Sequence, residues 1–268
     1  MAVLKFRDQD GAWQYAPSLK FKNGNDVFEI TNGLKYKDKN GVWHKVNICG
    51  TKPIDPVFAN NDWKQVVEAC RVRQVPDTWS VGDQMTMNIN GTDYLIDIIG
   101  KDHDDYADGS GKAPLTFLMH DCYSTTYAMN STMSNRTGWE SSALRTENLP
   151  AILSTMPNEV QSAIREVTKL TIAGNNVNSV RTTSDKLFLL SETEVFGSAA
   201  YSYPVTENQY AYYAMGNSKV KKVNGAASIW WLRTPAANST EFVTVNSNGT
   251  ATSKQASTSN GVAFAFCF

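Results

Sequence analysis

Every residue from Val262 to Phe268 is apolar. In an extended chain successive side chains point to opposite faces, so Val262, Phe264, Phe266 and Phe268 line one side and Ala263, Ala265 and Cys267 the other. A strand apolar on both faces has no side to offer water and belongs inside a covered sheet. The run therefore predicts a domain whose core is closed by this strand, and which unfolds when the strand is removed.

A chain of 268 residues and 29.6 kDa can bury one sizeable core and carry a small additional module. An internal repeat marks that module. LKFRDQDGAW, starting at Leu4, returns as LKYKDKNGVW, starting at Leu34. Each copy alternates apolar and charged residues, turns at Gly11 or Gly41, and resumes at a tryptophan, the pattern of a β-hairpin. Hairpins this short bury too little surface to stand alone, so residues 1–50 are expected to make assembly contacts. The stretch from Gly50 to Asn61, with Pro53 and Pro56 and little periodicity, reads as a linker, leaving residues 60–268 as the main domain.

Within that domain local signals are frequent. Asp62 and Gln65 form a capping box, followed by the helical stripe Trp63, Val66, Val67 and Cys70 to about Arg73. Met85 to Ile89 and Tyr94 to Ile99 flank Asn90-Gly91 as a hairpin, and Leu115 to Met119 reads as a strand. Helices are expected over Ser142 to Thr155 and Pro157 to Thr168, and a short one capped by Ser191 and Glu194. Strands are expected at Leu170 to Ala173, Leu187 to Leu190, Ile229 to Leu232 and Phe242 to Val245. The fold class is α+β.

Composition excludes several functions. With 25 basic and 26 acidic residues dispersed along the chain, no basic patch for nucleic acid or an anionic membrane is present. No apolar run reaches the ~20 residues of a membrane helix, and Met1 to Asp10 has no signal core, so neither membrane insertion nor secretion is expected. Cys49, Cys70, Cys122 and Cys267 are scattered without a C-x-x-C and read as buried free thiols, with a disulfide as the alternative.

SVGD at Ser80, NGTDYLIDIIGKDHDDYADGSGK at Asn90, GWESSALR at Gly138, KLFLLSETEVFG at Lys186, WWLRTP at Trp230 and the closing GVAFAFCF together resemble a family of phage and gut-bacterial domains of formally unknown function. The resemblance runs from about Trp63 to Phe268 and implies a C-type-lectin-like fold. The N-terminal repeats resemble units that open phage and prophage tail proteins. Together these likenesses imply a tail-tip or fibre adhesin made in the bacterial cytoplasm and carried on the virion, commonly a homotrimer. Its implied partners are other tail proteins and a host-surface glycan or protein. A lectin-fold enzyme and a structural tail or baseplate subunit are the alternatives. Some phage lectin-like proteins diversify their last loops through a retroelement that enriches Asn, Ser, Thr and Ala. PAANSTEFVTVNSNGTATSKQASTSNG fits that composition, and equally an ordinary flexible loop.

Candidate ligand-binding residues are Asn238, Ser239, Thr240, Asn246, Asn248, Thr250 and Thr252, short polar side chains in loops. Trp230 could stack on a ligand or face the core, and Arg233 could grip an anion or buttress a loop. Tyr201, Tyr203, Tyr210, Tyr212 and Tyr213 form a second candidate surface or pack at the core edge. Asp102, Asp104, Asp105 and Asp108 offer hard oxygen ligands for a divalent cation such as calcium, although no EF-hand register fits and a solvated loop is the alternative. The Glu-Pro-Asn and Trp-Asn-Asp signatures of calcium-dependent sugar-binding lectins are absent. No catalytic residues are assigned. His120 and Cys122, at i and i+2, could share a face as a thiol site, with a structural histidine as the alternative.

Overall fold

The computed structural model describes residues 53–268 and, ahead of them, the backbone of six short strands. The chain divides into two compact units, Met1–Ile54 and Asp55–Phe268. In the first unit β1 (Leu4–Arg7) pairs antiparallel with β2 (Trp13–Ala16), β3 (Phe21–Lys22) with β4 (Phe28–Glu29), and β5 (Lys35–Lys37) with β6 (Trp43–Lys45). Both copies of the repeat are thus hairpins. Cys49 and most of the side chains of this unit lie outside what is described.

The second unit begins inside the expected linker. Phe58 is buried, and Trp79 Nε1 donates to the Asp55 carbonyl at 3.0 Å. Asn61 Nδ2 donates to the carbonyls of Asp55, Val57 and Phe58. Residues 55–61 are therefore part of the folded body. Helix α1 (Trp63–Arg71) follows, with both halves of the Asp62/Gln65 capping box formed. Next come β7 (Gln84–Ile89) and β8 (Thr92–Lys101), joined through Asn90 (φ 51°) and Gly91 (φ 79°), the two positive φ values that a tight hairpin turn requires. Strand β9 (Leu115–Met119) pairs with β8.

The next helices are shorter than the sequence suggests. Leu144–Asn148 is a turn of π-helix leading into α2 (Leu149–Leu153). The Leu149 amide reaches back to the Leu144 carbonyl, and Pro150, lacking an N–H, cannot restore the ordinary ladder. Helix α3 (Asn158–Ala163) stops at Ile164, which is extended at ψ 124°. The expected tail of this helix is instead the start of β10 (Val167–Ile172), rich in β-branched residues. β10 pairs with β11 (Val180–Asp185). Leu187 to Leu190 are all buried but form no strand, touching the sheet through a single bridge from Phe188 to Ala265.

Helix α4 (Glu192–Phe196) carries the Ser191/Glu194 capping box and ends at Gly197 (φ 77°). Short helix α5 (Ala211–Ala214) precedes a hairpin of β12 (Lys221–Val223) and β13 (Ala226–Ser228). Strands β14 (Trp230–Pro235), β15 (Glu241–Val245) and β16 (Ala251–Gln255) form a three-stranded antiparallel sheet. β17 (Ala265–Cys267) completes the four-stranded order β17-β9-β8-β7.

The closing run behaves as its pattern demands. Val262 to Phe268 are all buried. On one edge β17 pairs with β9; on the other it is met by bridges from Arg165 and Phe188, so it is not an open edge. Phe266 and Phe268 join Phe117 and Trp63 in an aromatic cluster, with the Phe117 and Phe266 centroids 5.3 Å apart. Cys267 points the other way, its Sγ 3.5 Å from Thr116 Oγ1. Cys70, Cys122 and Cys267 are buried free thiols. Among the described residues no helix is long and apolar enough to cross a membrane.

Candidate functional site

The polar residues singled out in the last loops separate into two groups. Asn238, Ser239 and Thr240 precede β15, whereas Asn246, Asn248 and Thr250 follow it. Five strand residues at about 3.3 Å each put the groups about 17 Å apart, at opposite ends of the three-stranded sheet. Thr252 lies within β16, paired with Thr244. These residues therefore do not form one surface.

The end bearing Asn238 is the better organised. Asn135 is fully buried, and its Nδ2 donates to the carbonyls of Ala236, Asn238 and Glu241 at 3.2, 2.9 and 2.7 Å. Its Oδ1 accepts from the Asn175 amide at 2.8 Å. The Asn176 amide donates to the Asn238 carbonyl, the Ala237 amide to the Tyr201 carbonyl, and Tyr203 Oη to Asn176 Oδ1. Segments around 135, 175, 202 and 238 are thereby tied into one rim. Asn238 Oδ1 accepts from the Thr240 and Glu241 amides, so this side chain shapes its own turn. Outward the rim presents Arg136, Asn176, Val177, Tyr201 and Ala237, all exposed.

Trp230 and Arg233 are corrected to interior roles. Trp230 is fully buried and its Nε1 donates to the Lys219 carbonyl, leaving no ring face for a ligand. Arg233 is also fully buried. It bonds to the Leu170 and Leu189 carbonyls and forms ion pairs with Glu194 and Glu207. Lys169 Nζ lies 2.6 Å from both Asp104 and Glu194, and Tyr210 Oη donates to Asp104 at 2.9 Å. Burial alone would push the Glu194 carboxyl up, but Arg233 and Lys169 hold it down at about 2. Burial likewise raises Asp104, and Lys169 more than reverses it. Glu207 stays above its ordinary value because burial outweighs Arg233.

The four aspartates proposed for a cation do not converge. Asp104 is buried on Lys169, while Asp102 pairs with Arg73, Asp105 with Lys112 and Asp108 with Arg165. Each carboxylate already has its own cation. Ligand atoms of His103, Asp104 and Glu194 do lie within 4.8 Å of one another. The Lys169 ammonium, however, bridges the two carboxylates and fills the role a metal would have. Of the five tyrosines, Tyr201 is exposed and Tyr203 half-buried, whereas Tyr210, Tyr212 and Tyr213 are buried, so the last three are packing residues.

His120 and Cys122 are not a thiol pair. The His120 Nδ1 faces the buried Asp97 carboxylate at 3.0 Å, a bond that raises the imidazole pKa, and Gln84 Nε2 lies 2.9 Å away. Cys122 is buried, which pushes its thiol up to about 12 and keeps it protonated. Asn135 and the turn at Asn175 and Asn176 were not singled out in the sequence. The signal available was local: Gly174-Asn175-Asn176, all three at positive φ.

Residues 115–268, from β9 to β17, match the family described as Domain of unknown function (DUF6273). No curated protein and no solved structure matches the chain. The matched span holds the rim, the buried ion-pair network apart from Asp104, and the closing strand, and covers more than half of the sequence; the chain belongs to the DUF6273 family.

Proposed function

We propose that this chain is a non-enzymatic adhesin of a phage tail tip or fibre, whose second unit is a lectin-like module that binds a host-surface glycan or protein through the Asn135 rim. The observation that carries this reading is the fully buried Asn135, which joins the chain segments around 135, 175 and 238, to which the 202 segment is tied in turn. A surface built of loops recognises a ligand well only if the loops are held in place beforehand, because ordering them on binding would oppose affinity. Here the ordering is internal: the exposed Asn176 shares in it, while the exposed side chains of Tyr201 and Arg136 project from it. The path of the chain supports the lectin-like reading: β9 and β17 pair, and helices α2 to α5 and the three-stranded sheet lie between them in sequence. The hairpins of the first unit are the proposed attachment and trimerisation element toward other tail proteins.

Retention of the purified full chain on intact host cells, and on their stripped surface polysaccharide, tests the proposal. Tyr201→Ala combined with Asn176→Ala should weaken retention by at least about tenfold, roughly the effect of losing one anchoring side chain. Asn248→Ala with Thr250→Ala, at the far end of the sheet, should leave it unchanged. Equal retention of the rim variant and the unaltered protein sinks the reading.

A further inference from the structure

We propose a second binding site: the cleft between α1, α3 and the 102–112 loop takes a small amphipathic anion, an aromatic or short aliphatic body bearing a phosphate or carboxylate. The cavity measures about 330 Å³, within the range of small-molecule sites. Its walls are the apolar atoms of Val67, Cys70, Tyr106, Ala163 and Phe268. Its polar lining is Arg71, Arg73, Arg165 and Ser110, with no acidic side chain among the lining residues, and the main-chain oxygen of Phe268 at its edge accepts from Tyr106 Oη. A hollow with apolar walls under three guanidinium groups complements a ligand that is apolar at one end and anionic at the other.

Each arginine has an acidic partner, but outside the cavity lining. Arg71 pairs with Glu68, Arg73 with Asp102 and Arg165 with Asp108, and all these side chains are at least 40% exposed. Exposed pairs contribute little, so sharing or exchanging a carboxylate for a ligand anion is easy. The guanidinium forks are nevertheless oriented. Arg165 lies 3.5 Å from the centroid of the Tyr106 ring and donates to Ser110 Oγ at 2.8 Å. Arg73 sits at φ 52°, a conformation that side-chain-bearing residues adopt at a cost, and donates to the Lys112 carbonyl at 2.6 Å. That bond ties the end of α1 to the loop and sets Arg73 at the mouth of the cleft. A planar fork matches phosphate and carboxylate alike.

Calorimetric titration of the full chain with phenyl phosphate, benzoate, inorganic phosphate and phenol tests the site. Phenyl phosphate or benzoate should saturate, with inorganic phosphate and phenol each at least about tenfold weaker. Which of the two anions binds more tightly identifies the head group. Arg73→Ala and Arg165→Ala should each weaken the tighter probe by about tenfold, and Ala163→Phe, which fills the cavity, should abolish binding. Both arginines are surface side chains, and thermal unfolding of each variant confirms its fold. If Ala163→Phe does not fold, the two arginine variants decide alone. The site is overturned if neither anion saturates at millimolar concentration, or if binding survives in Arg73→Ala with Arg165→Ala. Inorganic phosphate binding as tightly as phenyl phosphate, or phenol as tightly as benzoate, overturns it too. The Tyr201→Ala, Asn176→Ala variant should bind the probe normally, so this site and the rim fail independently.

Discussion

Arg233 reaches the Leu170 and Leu189 carbonyls and the carboxylates of Glu194 and Glu207 without leaving the core. Its motif, WWLRTP, reads as a strand ending at Leu232 with Arg233 directly after it, whereas Arg233 lies within β14, and its acidic partners lie 39 and 26 residues earlier. No local rule connects such positions, which is why a ligand-gripping role and a buttressing role looked alike in the sequence. The same distance hid Asn135, whose nearest rim acceptor in β14 or its following turn is about a hundred residues on. Removing one partner of a buried pair leaves the other charge uncompensated. Arg233→Ala should therefore lower the unfolding free energy by about 3–5 kcal/mol at neutral pH, measured by urea denaturation. Glu194 titrates at about 2 in the folded chain against an ordinary 4.5, so its stabilising share is complete above 4.5 and is lost as pH falls toward 2. The gap between the variant and the unaltered protein should narrow over that interval; a gap independent of acid would contradict the network.

At the scale of elements, local chemistry was a good guide where the chain satisfies itself locally. The Asp62/Gln65 and Ser191/Glu194 boxes and the Asn90-Gly91 hairpin formed as their residues suggest. The β12–β13 hairpin carries the same signal, Asn224-Gly225 at φ 50° and 85°, in a stretch for which no element is expected above. Boundaries moved where tertiary pairing won, as when Val167 and Thr168 left the expected helix to pair in β10. Two glycines with similar φ separate backbone preference from packing. Gly91 (φ 79°) has open space where a Cβ would go, so Gly91→Ala should cost only about 1 kcal/mol. Gly174 (φ 81°) would place a Cβ 2.0 Å from the Asn135 carbonyl oxygen. Gly174→Ala should cost more than about 3 kcal/mol and disorder the rim, visible as a larger fall in thermal midpoint than Gly91→Ala produces. Equal shifts would mean that the close approach of these two loops carries little weight.

The second unit as a whole is held by strands distant in sequence. Its four-stranded sheet is complete only when β17 arrives, and the aromatic cluster of Trp63, Phe117, Phe266 and Phe268 closes with it. A chain ending at Asn260 should accordingly show no cooperative thermal transition and lose its near-ultraviolet dichroism; a retained sharp transition would show that the rest of the sheet suffices. That pairing also sets a timetable for the growing chain. Thr116 of β9 and Cys267 of β17 are 151 residues apart, so at about 5–20 residues per second β9 leaves the ribosome roughly 8–30 s before its neighbour exists. Throughout that interval an apolar strand edge is open to any passing chain, and slower translation prolongs the hazard. Yield of soluble protein should therefore rise with chaperone supply and low temperature, which shield the nascent chain through that interval.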